Sequence, residues 1–300
     1  MDTIDLVKIN FSADQLLILN ICLAFLMFGV ALDIKMKDLK RVFTEPKAGA
    51  IGLISQLIFL PILTLILIHL LRPPTSLAIG MVLIAVCPGG NVSNFAVHLA
   101  KGNTALSISM TSIVTLSSIF LLPITFFFWS GFIPEVSSLP PELQVNAGDM
   151  FTTIITLIAI PLLAGMLLQH YAPYFVTKIN KPVRILSILI FLSFVIFAST
   201  GNWDNIMAHL QKVFFIVLIH NSLALLIGYS LAKVGKLSDY DARAISIETG
   251  IQNSGLALIL IFNFFNGIGG MAMIAAWWGI WHLISAFLLA VYWSQPAKGN

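Results

Sequence analysis

Apolar residues fill long runs of this chain. The runs show neither the two-residue alternation of half-exposed strands nor the single stripe of a surface helix. Each is near 20 residues, the length a helix needs to cross a bilayer, whereas barrel strands alternate over about ten. Nine spans are predicted, at roughly 14–34, 48–71, 76–100, 104–130, 150–169, 184–201, 213–233, 242–265 and 271–294. The fold class implied is an all-α polytopic membrane protein of about nine transmembrane helices, a single transmembrane domain over 1–300.

Two of the runs are broken. In "MVLIAVCPGGNVSNFAVHLA", Met81 to Ala100, Pro88-Gly89-Gly90 interrupts the middle and Asn91, Ser93 and Asn94 follow. In "AISIETGIQNSGLALILIFNFF", Ala244 to Phe265, the middle holds Glu248, Gln252 and Asn253. Pro88 lacks an amide hydrogen and clashes with the preceding turn, and the glycines weaken helix further. Lipid cannot satisfy the backbone groups so freed; protein, water or ions must. Ser93 and Asn94 suit the cap of a new helix, whose positive end near the membrane centre would attract an anion. One such break reads equally well as a patched proline kink. Two point to a site. The broken runs are the third and eighth spans, and the odd offset gives them opposite orientation, the trace of an inverted repeat around a midplane site in secondary transporters.

Composition sharpens the class. Hydrophobic residues make up 58% and charged residues 10%, against roughly 25% charged in soluble domains; the mean hydropathy is +0.96. The lipid bilayer is therefore the expected environment, and no nucleic acid is expected as a partner. On alternate connections, 13 of the 16 basic residues share one side and only Lys8, Arg72 and Lys212 lie on the other. The positive-inside rule then puts the amino terminus outside and the carboxyl terminus in the cytoplasm. The polar start, with Asp2 and Asp5, predicts no cleavable leader. Cys22 and Cys87 lie within apolar runs, which argues against a disulfide framework or a metal cluster.

Of the 13 acidic residues, Glu248 alone is flanked on both sides by helical apolar sequence. A charge at a helix centre costs at least ~2.5 kcal/mol and marks an ion or substrate path. Arg243 lies five positions away near the cytoplasmic end, so a cation is the natural partner; a protonated structural Glu, or one reaching the cytoplasm, is the bland alternative. Oxygen donors are at hand in Gln56, Ser93, Asn94, Gln252 and Asn253, with backbone carbonyls near Thr249 and Ile251. Ser107 and Thr111 share one helical face at i, i+4, although such hydroxyls often bond to their own helix. Sodium suits this set; a proton could serve instead. His220-Asn221 and His282 fall inside spans, where a histidine more often joins two helices than holds a ligand. A hydrolase would need a nucleophile with a base, and Glu248 with a serine is the sole candidate, so no enzyme is expected.

The segments "FLMFGVALDIKMKDLKRVF", "CPGGNVSNFAVHLAKGNTALSISMTSIVTL", "LIHNSLALLIGY", "AISIETGIQNSGLALIL" and "WHLISAFLLAVYW" resemble the bile acid:sodium symporter family, in family order and over nearly the whole chain. The resemblance implies the nine-helix form, a panel domain, and a core domain with two discontinuous crossing helices. The core is expected at about 48–130 and 184–265, the panel at about 14–34, 150–169 and 271–294. It implies no cofactor other than two co-transported sodium ions. The first would be held by Ser93, Asn94, Ser107, Thr111 and Glu248; the second by Gln56, Glu248 and Gln252 with the backbone of Thr249 and Ile251. Asn91, Asn253 and His282 would meet the organic anion. Asn91 stands where many relatives have Thr, and Leu283 where they often have Asn, which leaves the cargo open between a bile acid-like anion and a smaller carboxylate such as pantoate. The implied function is sodium-coupled import by alternating access in a bacterial inner membrane. A proton-coupled or arsenite-type carrier, for which Cys87 beside the break is the one hint, is the alternative.

Overall fold

A computed structural model describes residues 3–6, 13–35, 39, 46–90, 92–133, 147–200 and 203–295. Its helices are α1 (Ala13–Ala31), α2 (Pro46–Leu71), α3 (Thr75–Val86), α4 (Val92–Leu99), α5 (Thr104–Ser130) and α6 (Ala147–Ile154 continuing through Ile160–Tyr171). Then come α7 (Pro173–Thr200), α8 (Trp203–Val234), α9 (Asp239–Gly250), α10 (Ser254–Phe264) and α11 (Gly269–Ser294). No strand occurs among the described residues. The chain is an all-α polytopic membrane protein.

Among the described residues, five segments are long and apolar enough to cross a membrane unaided: Pro46–Leu71, Thr104–Ser130, Met150–Tyr171, His209–Val234 and Gly269–Ser294. Their outer faces carry stripes at helical spacing, Ile58, Ile62, Ile66 and Leu70 on α2 and Ile280, Ile284 and Leu288 on α11, all exposed. Water would not tolerate such stripes together; lipid does. The halves α3 and α9, of 12 residues each, rise only about 18 Å, short of the ~30 Å hydrocarbon core. Each needs its continuation, α4 or α10.

α3 and α10 are apolar all round and sit at the centre. Every residue from Ser76 to Val86 is buried, as is every residue from Ser254 to Phe262, the condition of a helix walled by protein on all sides. Close approach is bought with small residues: a Cβ on Gly80 would come within 2.9 Å of Met271 Cα. One on Gly228 would come within 2.8 Å of the Ile245 carbonyl oxygen, which lets α8 lie hard against α9.

α2 contains a π turn, Ser55–Phe59, just ahead of Pro61. In a regular α-helix the Pro61 ring would meet the Leu57 carbonyl, and the widened turn removes that collision. α6 repeats the device with Ile155–Ala159 ahead of Pro161.

α1, α6 and α7 pack on one another, while α11 packs on α3, α4, α8 and α10. The 271–294 segment thus packs on the broken helices, and α7, which carries residues 184–200, packs on α1 and α6. Hydropathy assigns spans but carries no information about which span neighbours which.

Candidate cation site

The two breaks meet. α3 ends at Val86 and α9 at Gly250, and the unwound segments cross with Gly89 paired antiparallel to Gln252. The Asn253 amide donates to the Pro88 carbonyl at 2.8 Å. The Pro88 carbonyl is therefore satisfied by the opposite break rather than by lipid, and the Gly90 carbonyl accepts from the Ser93 amide at 2.9 Å.

Glu248, in the last turn of α9, is fully buried beside this crossing. Its Oε1 accepts from the hydroxyls of Ser93 on α4 and Ser107 on α5. Thr111 Oγ1 lies 2.9 Å from Oε2 and 3.0 Å from Oε1. Asn94 Oδ1 joins the cluster, 2.7 Å from Ser107 Oγ and 3.4 Å from Thr111 Oγ1. The protons do not go round. Ser93, Ser107 and Thr111 offer one hydroxyl proton each, while the Glu248 carboxylate, the Asn94 carbonyl and the Ser107 main-chain carbonyl, 3.0 Å from Thr111 Oγ1, all face them as acceptors. An all-oxygen, proton-poor cluster around one carboxylate has the donor chemistry that suits a hard cation. The five residues expected to form a first cation site are thus brought together.

Ser93 and Asn94 lie within the first turn of α4 and reach across to α5 and α9; they do not cap their own helix. Asn91, one residue ahead of α4, lies outside the described residues.

On the far side of the carboxylate, the π turn of α2 presents Gln56. Its Nε2 lies 3.2 Å from Gln252 Oε1, and its own Oε1 is buried without a partner. Gln252 Nε2 donates to the Thr249 carbonyl at 3.0 Å. Gly89 sits among these groups: a Cβ there would lie 3.1 Å from Glu248 Oε2, 3.3 Å from Gln56 Nε2 and 3.6 Å from the Ile251 carbonyl oxygen. Gln56, Glu248, Thr249, Ile251 and Gln252 therefore converge, and the orphaned Gln56 Oε1 is an acceptor that a second cation would satisfy.

The expected cargo residues are more scattered. Asn253 is at the crossing, where its side-chain oxygen caps α10 by accepting from the Leu256 amide at 3.0 Å. His282 is buried on α11 with Nδ1 unpartnered. Its connection to the break is indirect: Ser285, one turn on, donates to Asn221 Oδ1, and Asn221 Nδ2 donates to the Gly250 carbonyl, 2.8 Å away. His220, in contrast, joins two helices, with Nε2 2.8 Å from Thr64 Oγ1.

Three participants escaped sequence reading. Ser55 Oγ lies 2.9 Å from Thr249 Oγ1, holding α2 to α9 beside Gln56; its signal was the Ser55-Gln56 pair inside an apolar run. Asn221 was visible only as a polar residue in a span. Gly89 was read as a helix breaker, whereas its missing side chain also leaves room between Gln56 and Glu248.

Residues 20–209 match the profile described as the Sodium Bile acid symporter family. The chain is 31% identical over 280 residues to an "Uncharacterized sodium-dependent transporter" of Bacillus subtilis (strain 168), covering 93% of this chain and 84% of that protein. It is 29% identical over 241 residues to a chloroplastic "Probable sodium/metabolite cotransporter" of Oryza sativa subsp. japonica, covering 79% of this chain and 55% of that longer protein. A similarly named chloroplastic protein of Arabidopsis thaliana is 28% identical over 278 residues, covering 92% and 66%. These relatives are transporters, not enzymes. With the profile covering more than half of its length and the Bacillus protein matching almost end to end, the chain belongs to the Sodium Bile acid symporter family.

Proposed function

We propose that the protein is a symporter that imports an organic anion with two sodium ions by alternating access. The observation that carries this reading is the proton-poor oxygen cluster that closes on Glu248 where the two breaks cross. One ion sits among Ser93, Asn94, Ser107, Thr111 and Glu248. The other sits among Gln56, Glu248 and Gln252 with the carbonyls of Thr249 and Ile251. Two ions against one carboxylate leave a net positive charge, costly at the membrane centre, and an anion near Asn91, Asn253 and His282 offsets it. The cargo is a bile acid-like anion or a smaller carboxylate such as pantoate.

α1, α6 and α7 form the panel, and the remaining helices form the core that carries both ions. The protein spans a bacterial inner membrane nine times as an inverted repeat, with its amino terminus outside.

The test is uptake of labelled pantoate and of a labelled bile acid into proteoliposomes under inward sodium, potassium or proton gradients. Sodium-driven accumulation of either anion supports the reading. Accumulation driven by protons alone transfers the Glu248 site to a proton-coupled carrier, and uptake independent of all three gradients overturns coupling.

A further inference from the structure

We infer that Arg243 is a positioning residue for the first sodium site, acting as a clamp between the two bodies that supply its ligands. The inference rests on the sodium reading of the Glu248 cluster. Four of the five expected ligands come from α4 and α5, and Glu248 alone comes from α9, so the site exists only while α9 keeps its distance from the other two helices.

That distance is set at one end of α9. Arg243 Nη1 donates to the Ala100 carbonyl at 2.9 Å and to the Trp293 carbonyl at 3.2 Å. Both carbonyls belong to helix C-termini, those of α4 and α11, where backbone oxygens lack partners within the helix and the dipole is negative. The guanidinium also lies 5.9 Å from the centre of the Trp293 ring, which stacks on Tyr229 of α8. An arginine near a membrane helix end commonly reaches for water or headgroups; this one turns inward and joins three helices.

The turn between α4 and α5 is fastened at the same place. The Asn103 amide donates to the Tyr240 carbonyl at 2.8 Å, and its Nδ2 donates to Asp241 Oδ1 at 2.8 Å. Its Oδ1 meanwhile accepts from the Leu106 amide and starts α5. A Cβ on Gly102 would come within 3.1 Å of Arg243 Cβ, so the turn is pressed onto α9. Glu248 follows Arg243 by five residues, about 7.5 Å along the helix.

Without a cation, the Glu248 carboxylate and the Asn94 carbonyl share too few protons and repel. Their separation is one way for the cluster to relax. Arg243 opposes it, and so lowers the reorganisation that sodium must drive.

The test uses the purified full chain and sodium alone, titrated against N-methylglucamine while the thermal midpoint is followed. In Arg243→Gln the sodium concentration needed for a given thermal shift rises at least tenfold. In Arg243→Lys, which keeps charge but loses the planar fork, it rises by less, about threefold. Lys233→Ala, which removes an exposed ion pair to Asp239 of 3.0 Å at the same end of α9, leaves it unchanged. A general structural role would lower the sodium-free midpoint of both Arg243 variants and leave the sodium concentration needed for a given shift within twofold of wild type; that result overturns the inference. Should Arg243→Gln not fold, Arg243→Lys decides alone on the same criterion. A wild-type protein without any sodium-dependent shift would instead overturn the sodium reading itself.

Discussion

Thr111 Oγ1 faces both carboxylate oxygens of Glu248, at 2.9 Å and 3.0 Å, with a single proton to share between them. A carboxylate so placed is short of positive charge by design. Glu248→Gln supplies an isosteric neutral group with two N–H donors of its own. The variant is expected to fold and to be at least as stable as wild type without sodium. It is also expected to lose the sodium stabilisation, about 2.7 kcal/mol when the ion is at a hundred times its dissociation constant. Protons compete for the same carboxylate, so acidification raises the half-saturating sodium concentration in wild type. Thermal melts across sodium and pH check both statements; an undiminished sodium shift in Glu248→Gln removes the carboxylate from the site.

Ser107→Ala with Thr111→Ala takes away two of the hydroxyls that meet Glu248. Each bond to a charged group is worth about 1.5–3 kcal/mol. The double variant should need at least tenfold more sodium for half-maximal uptake, with maximal uptake retained. Sodium dependence equal to wild type would mean that Thr111 serves only the Ser107 carbonyl of its own helix.

Gly89→Ala discriminates between the two ions. The new methyl enters the gap between Gln56 and Glu248 Oε2, and its three nearest neighbours do not include Ser93, Ser107 or Thr111. Sodium activation of uptake should lose its cooperativity, the Hill coefficient falling from near two to near one. A Hill coefficient near two in this variant argues against an ion beside Gln56.

Asn263 Nδ2 donates to Asn20 Oδ1 at 2.7 Å and so ties α10 to α1, across the boundary between the two helix groups. Asn20→Leu and Asn263→Leu should each lower the thermal midpoint. The double variant should lower it by less than the two shifts added, because the second substitution removes an already orphaned group. Strict additivity of the midpoints would show that the bond contributes nothing.

Much of the site could be read directly. Glu248 was conspicuous because a buried carboxylate needs a reason, and Ser107 with Thr111 because a four-residue spacing places two hydroxyls on one face. Gln56 was conspicuous for the same reason as Glu248, a strongly polar group in an apolar run. Ser55 was not, since neighbouring residues of a regular helix point some 100° apart and only one of the pair should reach α9. In the π turn ahead of Pro61, Ser55 reaches Thr249 on α9 while Gln56 reaches Gln252 in the break just beyond it. Local sequence favours caps at Ser93 and Asn94; instead Ser93 donates to a carboxylate distant in sequence, and Asn94 accepts from Ser107 on α5. Which helices pack on which is not legible either, since neighbours in a bundle are chosen by surface shape that composition does not record.

The pairing of Gly89 with Gln252 has a consequence for biogenesis. A ribosome delivers the first break to the bilayer long before the second exists. During that interval the Pro88 carbonyl and its neighbours have no partner from the chain itself, and neither half-helix can be sealed from lipid. The amino-terminal half should therefore remain in the keeping of the insertion machinery, or near water, until α9 and α10 emerge. Nascent chains stopped before Asp239 should be far more open to membrane proteases than chains stopped after Phe264, and pulse-chase of the two truncations would measure the difference.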